Sequence, residues 1–510
     1  MFASSSLYSM VIAKVLASSV NEIDAGLDEV LQGQMQDIKD LVLWFANQPI
    51  SPATCMEFEQ ALQNTLRETG RKVMEFTCNE CEPASQDDAP HDVTYEAGGY
   101  RRRDKKTPNR YVETTFGRIE LWRRGYRYWH RDQKAPTIFP IELILGLVKG
   151  ATPLLAGELS RLMGDGGATQ PRVLEQAKRQ FNVSLSVERL REIVEDVSES
   201  MAQFREHCQV LKLLDLLRYA HASRGRYKPV LSVGRDGISM PVHKGGGYKQ
   251  GAVATVAVYN RQGQRLGTVY LAMRPESGQP TLTRELTALL ESCLSKWCID
   301  EGMPLPRLCY VTDAGDTECQ YYRKVLSRMR HPKNNRRYLK WHRIVDYYHT
   351  TERITIMAEA LFGAGYQASA WARKMRKLLR KPNGVNRVLH SAAAMKKRRG
   401  VCADSEDNFQ LAYNYIRSRA RHMRYAEFKS RKLPIGSGVT EAACKTVFTQ
   451  RLKLSGMGWT YKGAQTILQL RVILLSGIWD DVYQAAINNR NPLNLRTYGH
   501  QATIEAQNAA

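Results

Sequence analysis

A mixed α/β fold, with helices on the faces of a partly parallel sheet, is what this 510-residue chain predicts. Three observations carry that expectation. First, the strand-like runs KPVLSVGRDGISM, GAVATVAVYN and RLGTVYLAMR follow one another, the last two joined by a tight turn at Asn260-Arg261-Gln262-Gly263. Second, TLTRELTALLESCLSKWCIDEG reads as an amphipathic helix, with Thr281 or Thr283 near its cap, and leads to a fourth strand, RLCYVTDAGD. Third, the helical TECQYYRKVLSRMR leads to a fifth strand, RYLKWHRIVDYYH, running into a turn. The order is β-β-β-α-β-α-β. The first and fourth strands end in aspartates, Asp236 and Asp313.

The preceding elements differ in texture. Up to Phe76 the pattern is helical, and EFEQALQNTLRETGRKVMEF repeats apolar residues at helical spacing. The start, to Val20, reads as an amphipathic helix, with a signal peptide the lesser alternative. A polar, Gly/Pro-punctuated stretch opens at Cys78, and YVETTFGRIELWRRGYRYW then reads as a β-hairpin around Phe116-Gly117. LLAGELSRLMG, PRVLEQAKRQF and SVERLREIVEDVSESM read as short helices, the last with Ser186 as N-cap. Compact helices of this kind suit a helix-turn-helix, as they suit any small helical domain.

The formal charge is +23, from 74 Lys plus Arg against 51 Asp plus Glu. That excess points to a polyanionic partner, nucleic acid first and an anionic membrane surface second. No run approaches the about 20 apolar residues that span a bilayer. The ten cysteines form no framework, and Cys293, Cys298 and Cys309 lie in apolar segments. They are expected to be buried free thiols, as in a reducing cytoplasm.

Strands one and four can lie side by side in such a sheet, which would bring Asp236 and Asp313 together. Adjacent carboxylates repel, and Mg²⁺, which takes hard oxygen ligands, relieves the repulsion. Two ions about 3.5–4 Å apart can serve both sides of a phosphodiester displacement. A third carboxylate is then needed. Glu441, in PIGSGVTEAACK, sits on the first turn of a helix with a Gly-Ser-Gly approach and basic surroundings. Simpler readings stand beside this one. Asp236-Gly237 also reads as a turn, Asp313 or Asp316 as a helix cap, and Glu441 as an acid favouring its helix's positive end.

From Val233 to Asp480 the chain resembles a bacterial insertion-sequence transposase of the DDE type, closest to the ISKra family, which is related to the Mutator-like transposases. The matching stretches are VGRDGI, YVTDAGD, VDYYHTTERI, PIGSGVTEAACKTVFTQRLKLSGMGW and GAQTILQLRVILLSGIWD. The resemblance implies an RNase H-like catalytic core over 227–349 and 432–485, interrupted by an all-helical insertion over 350–431. It implies Asp236, Asp313 and Glu441 as the catalytic, Mg²⁺-binding triad, with Mn²⁺ able to substitute. Asp346 to His349 match the family's D-x-x-H motif near the active site. His349 is then either a group acting on a phosphate or the attacking water, or a structural histidine bonded to Asp346. The remaining divisions are a helical region over 1–77, the Cys-x-x-Cys segment and hairpin over 78–135, a helical DNA-binding region over 136–226 and a tail over 486–510.

Trp371 to Arg399 holds eleven Lys or Arg and no acid, and Gln320 to Trp341 holds eight and no acid. Part of this excess belongs on solvated helix faces and the rest along phosphates. Arg336, Arg337, Lys340, Arg373, Lys374, Arg376, Lys377, Lys445, Arg451 and Lys453 are the expected DNA contacts, with Arg101, Arg102, Arg103, Lys105 and Lys106 upstream. Trp371 reads as core rather than as a base-stacking ring. Cys78 and Cys81 have the spacing of half a zinc site, which His91 and His130 would have to complete, since the family's second cysteine pair is missing here. The expected partner is double-stranded DNA, transposon ends and target, bound by a homodimer or larger assembly in a bacterial cytoplasm, at the nucleoid and not at a membrane. The rival readings are a nuclease or resolvase that cuts without joining, and a non-catalytic DNA-binding protein.

Overall fold

The computed structural model describes residues 20–83, 100–103, 108–128, 137–167, 169–243 and 247–490. The expected leading amphipathic helix lies almost wholly outside these residues, as do Lys105, Lys106, His91, His130 and the tail beyond 490. The chain divides into two compact units, Met1–Met163 with Ala168–Met201 and Tyr483–Ala510, and Gly164–Gly167 with Ala202–Val482. No described helix is long and apolar enough to cross a membrane.

In the first unit α1 (Val20–Ala46) and α2 (Pro52–Asn79) pack through Phe45 and Phe58, ring centroids 4.5 Å apart. Ser51 starts α2 with a capping box: its hydroxyl accepts from the Thr54 N–H at 3.1 Å, and Thr54 Oγ1 accepts from the Ser51 N–H at 2.9 Å. The expected hairpin forms from β2 (Arg110–Thr114) and β3 (Gly117–Leu121), flanked by an outer antiparallel pair, β1 (Tyr100–Arg102) and β4 (Tyr126–Tyr128). Helix α2 continues through Asn79, so the segment taken as a linker from Cys78 begins inside a packed helix. The Asn79 amide donates to the Glu120 carbonyl at 3.0 Å and its oxygen accepts from the Trp122 N–H at 2.7 Å. Helices α3 (Pro140–Ile144), α4 (Pro153–Gly164), α5 (Gln170–Phe181) and α6 (Val187–Ala222) follow. Ser186 caps α6 as expected, accepting from the Arg189 N–H at 3.1 Å. At 36 residues α6 far outruns the segment read for it, because its apolar face continues through Leu213, Leu214 and Leu217.

The second unit is built on one mixed sheet. Its strands are β5 (Val230–Pro241), β6 (Tyr248–Tyr259), β7 (Arg265–Met273), β8 (Arg307–Thr312) and β11 (Trp341–Val345), in the order β11-β8-β5-β6-β7. The β5–β6 and β6–β7 pairs are antiparallel; β5–β8 and β8–β11 are parallel. Helix α7 (Pro280–Ser295) joins β7 to β8, and α8 (Asp316–Lys324) follows β8. A small exposed hairpin, β9 (Arg330–His331) and β10 (Asn334–Tyr338), precedes β11. The turn between β6 and β7 forms where expected, with Gly263 at φ +83° and Asn260 Oδ1 accepting from the Gln262 and Gln264 N–H groups.

Strand alternation sends neighbouring side chains into two cores. Leu231, Val233, Leu308 and Tyr310 join α6 and α7 on one face; Val230, Cys309, Val311 and Val345 join a helical layer on the other. That layer comprises α9 (Tyr347–Phe362), α10 (Tyr366–Leu379), α11 (Gly384–Arg399), α12 (Glu406–Arg419) and α13 (Tyr425–Ser430), so every described regular element between β11 and Pro434 is helical. Trp371 is half-buried against this core, its ring 6.2 Å from that of Phe362. The chain then enters α14 (Gly438–Ala443), a π-helical turn at Cys444–Thr449, the single turn α15 (Gln450–Leu452), α16 (Tyr461–Leu475) and α17 (Trp479–Asn489).

Three local expectations change. Strand β5 does not end at Asp236 but runs on to Pro241, because β6 pairs with it along its whole length, Asp236 opposite Val253. Helix α7 is not capped by a threonine. Gln279, at φ +52°, precedes Pro280, and its side-chain oxygen accepts from the Arg235 guanidinium at 3.0 Å, while Thr281 donates to Glu276. Asp-Tyr-Tyr-His is not a turn after β11 but the start of α9, with Asp346 as its N-cap.

Helix α14 and the π-helical turn after it approach the sheet closely at two strand positions that lack a side chain. A Cβ on Gly234 would lie 2.0 Å from Thr440 Oγ1, and one on Gly251 would lie 2.7 Å from Phe448. Gly234→Val is therefore expected to destabilise the second unit by about 1–3 kcal/mol through overpacking. A lowered denaturant midpoint for Gly234→Val beside the wild-type chain would check it.

Candidate active site

Asp236 and Asp313 belong to one face of the sheet by register. The β5–β8 ladder ends at Val233 paired with Tyr310, and each aspartate lies three residues further on. By parity both share the face of Val230, Cys309 and Val311, over which α14 docks. Asp236 is part-buried, and burial pushes its carboxyl up, with the Asp313 charge adding to the rise. Its Oδ1 accepts from the Gly237 N–H at 2.7 Å and its Oδ2 from the Cys444 thiol at 3.3 Å. That thiol, itself pushed far up by burial and then by Asp236, ties β5 to the segment carrying Glu441.

Glu441 lies in the first turn of α14, its Oε1 accepting from the Ser437 hydroxyl at 2.6 Å. His349 Nε2 stands 3.7 Å from the same oxygen, and His349 Nδ1 is 3.0 Å from Glu352 Oε2. Burial lowers the imidazole's pKa, but the bond to Glu352 and the charges of Asp346, Glu352 and Asp313 outweigh it, so the net shift is upward. The His349 ring is thus aimed at Glu441 rather than bonded to the Asp346 side chain.

Asp346, His349 and Glu441 each offer a ligand atom within 4.8 Å of the others. Asp346 is nonetheless an unsuitable ligand. It is wholly buried, its Oδ1 accepts from the His349 N–H at 2.7 Å and its Oδ2 from the Ser437 N–H. Both oxygens are spent joining the start of α9 to the approach of α14. Asp236, Asp313 and Glu441 are only part-buried, although both Asp236 oxygens also accept hydrogen bonds. Asp236 and Asp313 share a face, and the Asp313 charge adds to the rise at Asp236, but among the described residues neither joins the donor group within 4.8 Å that contains Glu441. Carboxylate oxygens are hard donors of the type that Mg²⁺ takes.

The turn carrying Asp313 is strained and clamped. Ala314 is buried at φ +62°, a left-handed conformation that costs a non-glycine residue on the order of 1 kcal/mol. Asp313 Oδ1 accepts from the Gly315 N–H at 3.0 Å, which excludes a capping role for that side chain: Gly315 is the N-cap of α8. From the helical layer, the Arg419 guanidinium donates to the Ala314 carbonyl at 3.2 and 3.3 Å, and the Tyr415 hydroxyl donates to the Asp313 carbonyl at 2.5 Å. A cleft of about 280 Å³ opens here, lined among others by Asp313, Asp316, His349, Arg353, Tyr415 and Arg419. Glu318, buried behind Gly315, has its carboxyl raised by burial and by the Asp313 charge.

Of the expected DNA contacts, Arg336, Arg337, Lys340, Arg373, Lys374, Arg376, Lys377, Lys445 and Arg101 are exposed, and Arg102, Arg103 and Lys453 partly so. Arg451 is not available: it is 1% exposed, its guanidinium lies 5.2 Å from the Trp459 ring centroid, and burial together with Arg471 pushes its pKa down to about 10. Cys78 is packed with Val112, Ile119 and Leu121, and burial raises its thiol to about 11. Cys81 Sγ donates to the Thr77 carbonyl at 3.4 Å. Among the described residues no other ligand atom joins this cysteine pair. Cys293, Cys298 and Cys309 are buried free thiols, as expected.

Tyr415 and Arg419 reach the site from α12, a helix that no motif marks, whereas Arg353 lies within the VDYYHTTERI stretch without having been singled out there. Ser437 was signalled by its four-residue spacing from Glu441. Replacing Asp346 with Asn would keep one acceptor oxygen and set an NH₂ against the second N–H. The expected loss is about 1–3 kcal/mol, with faster amide exchange at Ser437 than at the β5 amides; unchanged exchange at Ser437 would show the brace to be dispensable.

No protein-family model matches the chain, and no curated protein matches it. Among solved structures, a crystal structure of NurA with manganese aligns over 57% of this chain at 14% identity and a TM-score of 0.10, covering 63% of that chain. At that TM-score the likeness carries no argument.

Proposed function

We propose that the chain is a DDE-type DNA transposase of the kind its sequence resembles, with an RNase H-like core formed by the five-stranded sheet. The observation that carries the reading is the shared parity of Asp236 and Asp313, each three residues beyond the last paired rung of two adjacent parallel strands, with Glu441 on a helix that meets the sheet at Gly234. Three antiparallel strands followed by two parallel additions agree with such a core. Asp236, Asp313 and Glu441 would hold two Mg²⁺, which supply activation of the attacking oxygen and stabilisation of the leaving one when bound.

The remaining work falls to the chain's own side chains. Ser437 and His349 orient the Glu441 carboxylate, and the Asp313 turn is held still by Tyr415 and Arg419. Exposed cations on α10, β10 and Lys445 would neutralise phosphates on either side of the cut, giving steeply salt-dependent binding. The chemistry is hydrolysis at the transposon end, freeing a 3′-hydroxyl, then attack of that hydroxyl on target DNA. End recognition belongs to the first unit, with Arg101, Arg102 and Arg103 among its cations. Joining two ends calls for at least a dimer.

A strand-transfer assay decides the matter. Purified chain, Mg²⁺ and a labelled duplex bearing the element's end are incubated with plasmid target, beside Glu441→Gln. Joined product from the wild type and none from the variant, with DNA binding retained, is the expected result. Cleavage without joining would leave a nuclease, and binding alone in both proteins would overturn the triad.

A further inference from the structure

We propose that the cleft beside Asp313 is a phosphate subsite, in which Arg353 of α9, ordered beside Arg419 of α12, holds a backbone phosphate of the DNA strand next to the one being cut. The inference rests on the transposase reading and adds to it a residue pair that the triad does not contain. The two guanidiniums lie 5.0 and 4.3 Å from the centroid of one ring, Tyr415, which orders them without neutralising them. Among the described residues neither is ion-paired with a carboxylate.

Their duties differ. Arg419 spends its Nε and Nη2 on the Ala314 carbonyl and its Nη1 on Ser418 Oγ and the Tyr415 carbonyl, so it mainly fixes the turn. Arg353 makes no hydrogen bond among the described residues and is exposed, leaving its planar fork for a ligand. A fork of paired N–H donors matches two oxygens of a phosphate. Asp313 and Asp316 line the same cleft and repel a small free anion. A phosphate that is one link of a strand, held on both sides by its neighbours, tolerates that repulsion. This favours a nucleic-acid strand over inorganic phosphate or a mononucleotide.

The test reads binding rather than activity. In a Glu441→Gln background and without divalent cations, affinity for an end-bearing duplex is measured against salt concentration for Arg353, Arg353→Gln and Arg353→Lys. Loss of one phosphate contact lowers the slope of log affinity against log salt by about 0.9 on duplex, or about 0.7 on single strand. The expected result is that drop for Gln and little change for Lys, with all three proteins giving the same circular dichroism. An unchanged slope for Gln overturns the subsite. So does Arg353-dependent binding of inorganic phosphate with no effect on DNA. A chain that shows the slope change but does not join strands fails only the transposase reading; one that joins strands with an unchanged slope fails only the subsite; one that binds no DNA fails both.

Discussion

Asp346 is wholly buried and its carboxylate accepts N–H groups from both segments that must meet at the site. A buried carboxylate without partners would be costly, and two backbone donors, one at a helix N-terminus, offset that cost. Its backbone serves the same end: the Asp346 N–H donates to the Thr312 carbonyl at 2.8 Å, and the next N–H, of Tyr347, donates to the Ile435 carbonyl at 3.0 Å. Thr312 immediately precedes Asp313, and Ile435 precedes the approach to Glu441. Two carboxylates more than a hundred residues apart in sequence thus take their positions from one residue that need not touch a substrate.

The helical layer takes part in the site rather than decorating it. A left-handed alanine persists only where its surroundings over-determine it, and at Ala314 those surroundings are Arg419 and Tyr415 on α12. The strain and its restraint lie on different elements, with roughly a hundred residues between them. The cost of the backbone at Ala314 is met by the folding of the layer.

Much of the sheet was legible because its strands are apolar on both faces or stand between unmistakable turns. LCYV in β8 and AVATVAV in β6 feed two cores at once, so they read as continuous runs rather than alternations. Asp236 was singled out as a candidate ligand but misplaced as a strand end. An Asp-Gly pair ordinarily stops a strand, and here β6 carries the ladder through it. The cap of α7 was missed because Gln279 answers to a buried arginine on another strand, a tertiary demand no local pattern records. Arg451 failed for the same reason: a cation in a basic run looks alike whether it faces solvent or lies against Trp459. Glu441 was singled out through its own motif, but Tyr415 and Arg419, which hold the Asp313 turn, sit on α12, whose two acids and two arginines announce nothing.

The π-helical turn at Cys444–Thr449 has a consequence for how this chain can vary. A π turn holds one residue more than an α-helical turn, and each residue of an α-helix accounts for about 100° of rotation. Thr440 and Glu441 lie before it; Val447, Phe448 and Leu452, all buried, lie within and after it. Removing a single residue between them would give a more regular helix. It would also rotate one set of side chains about 100° against the other, so that the carboxylate or the apolar anchor leaves the sheet. This stretch should accept changes of side chain far more readily than changes of length, unlike the surface loops around it.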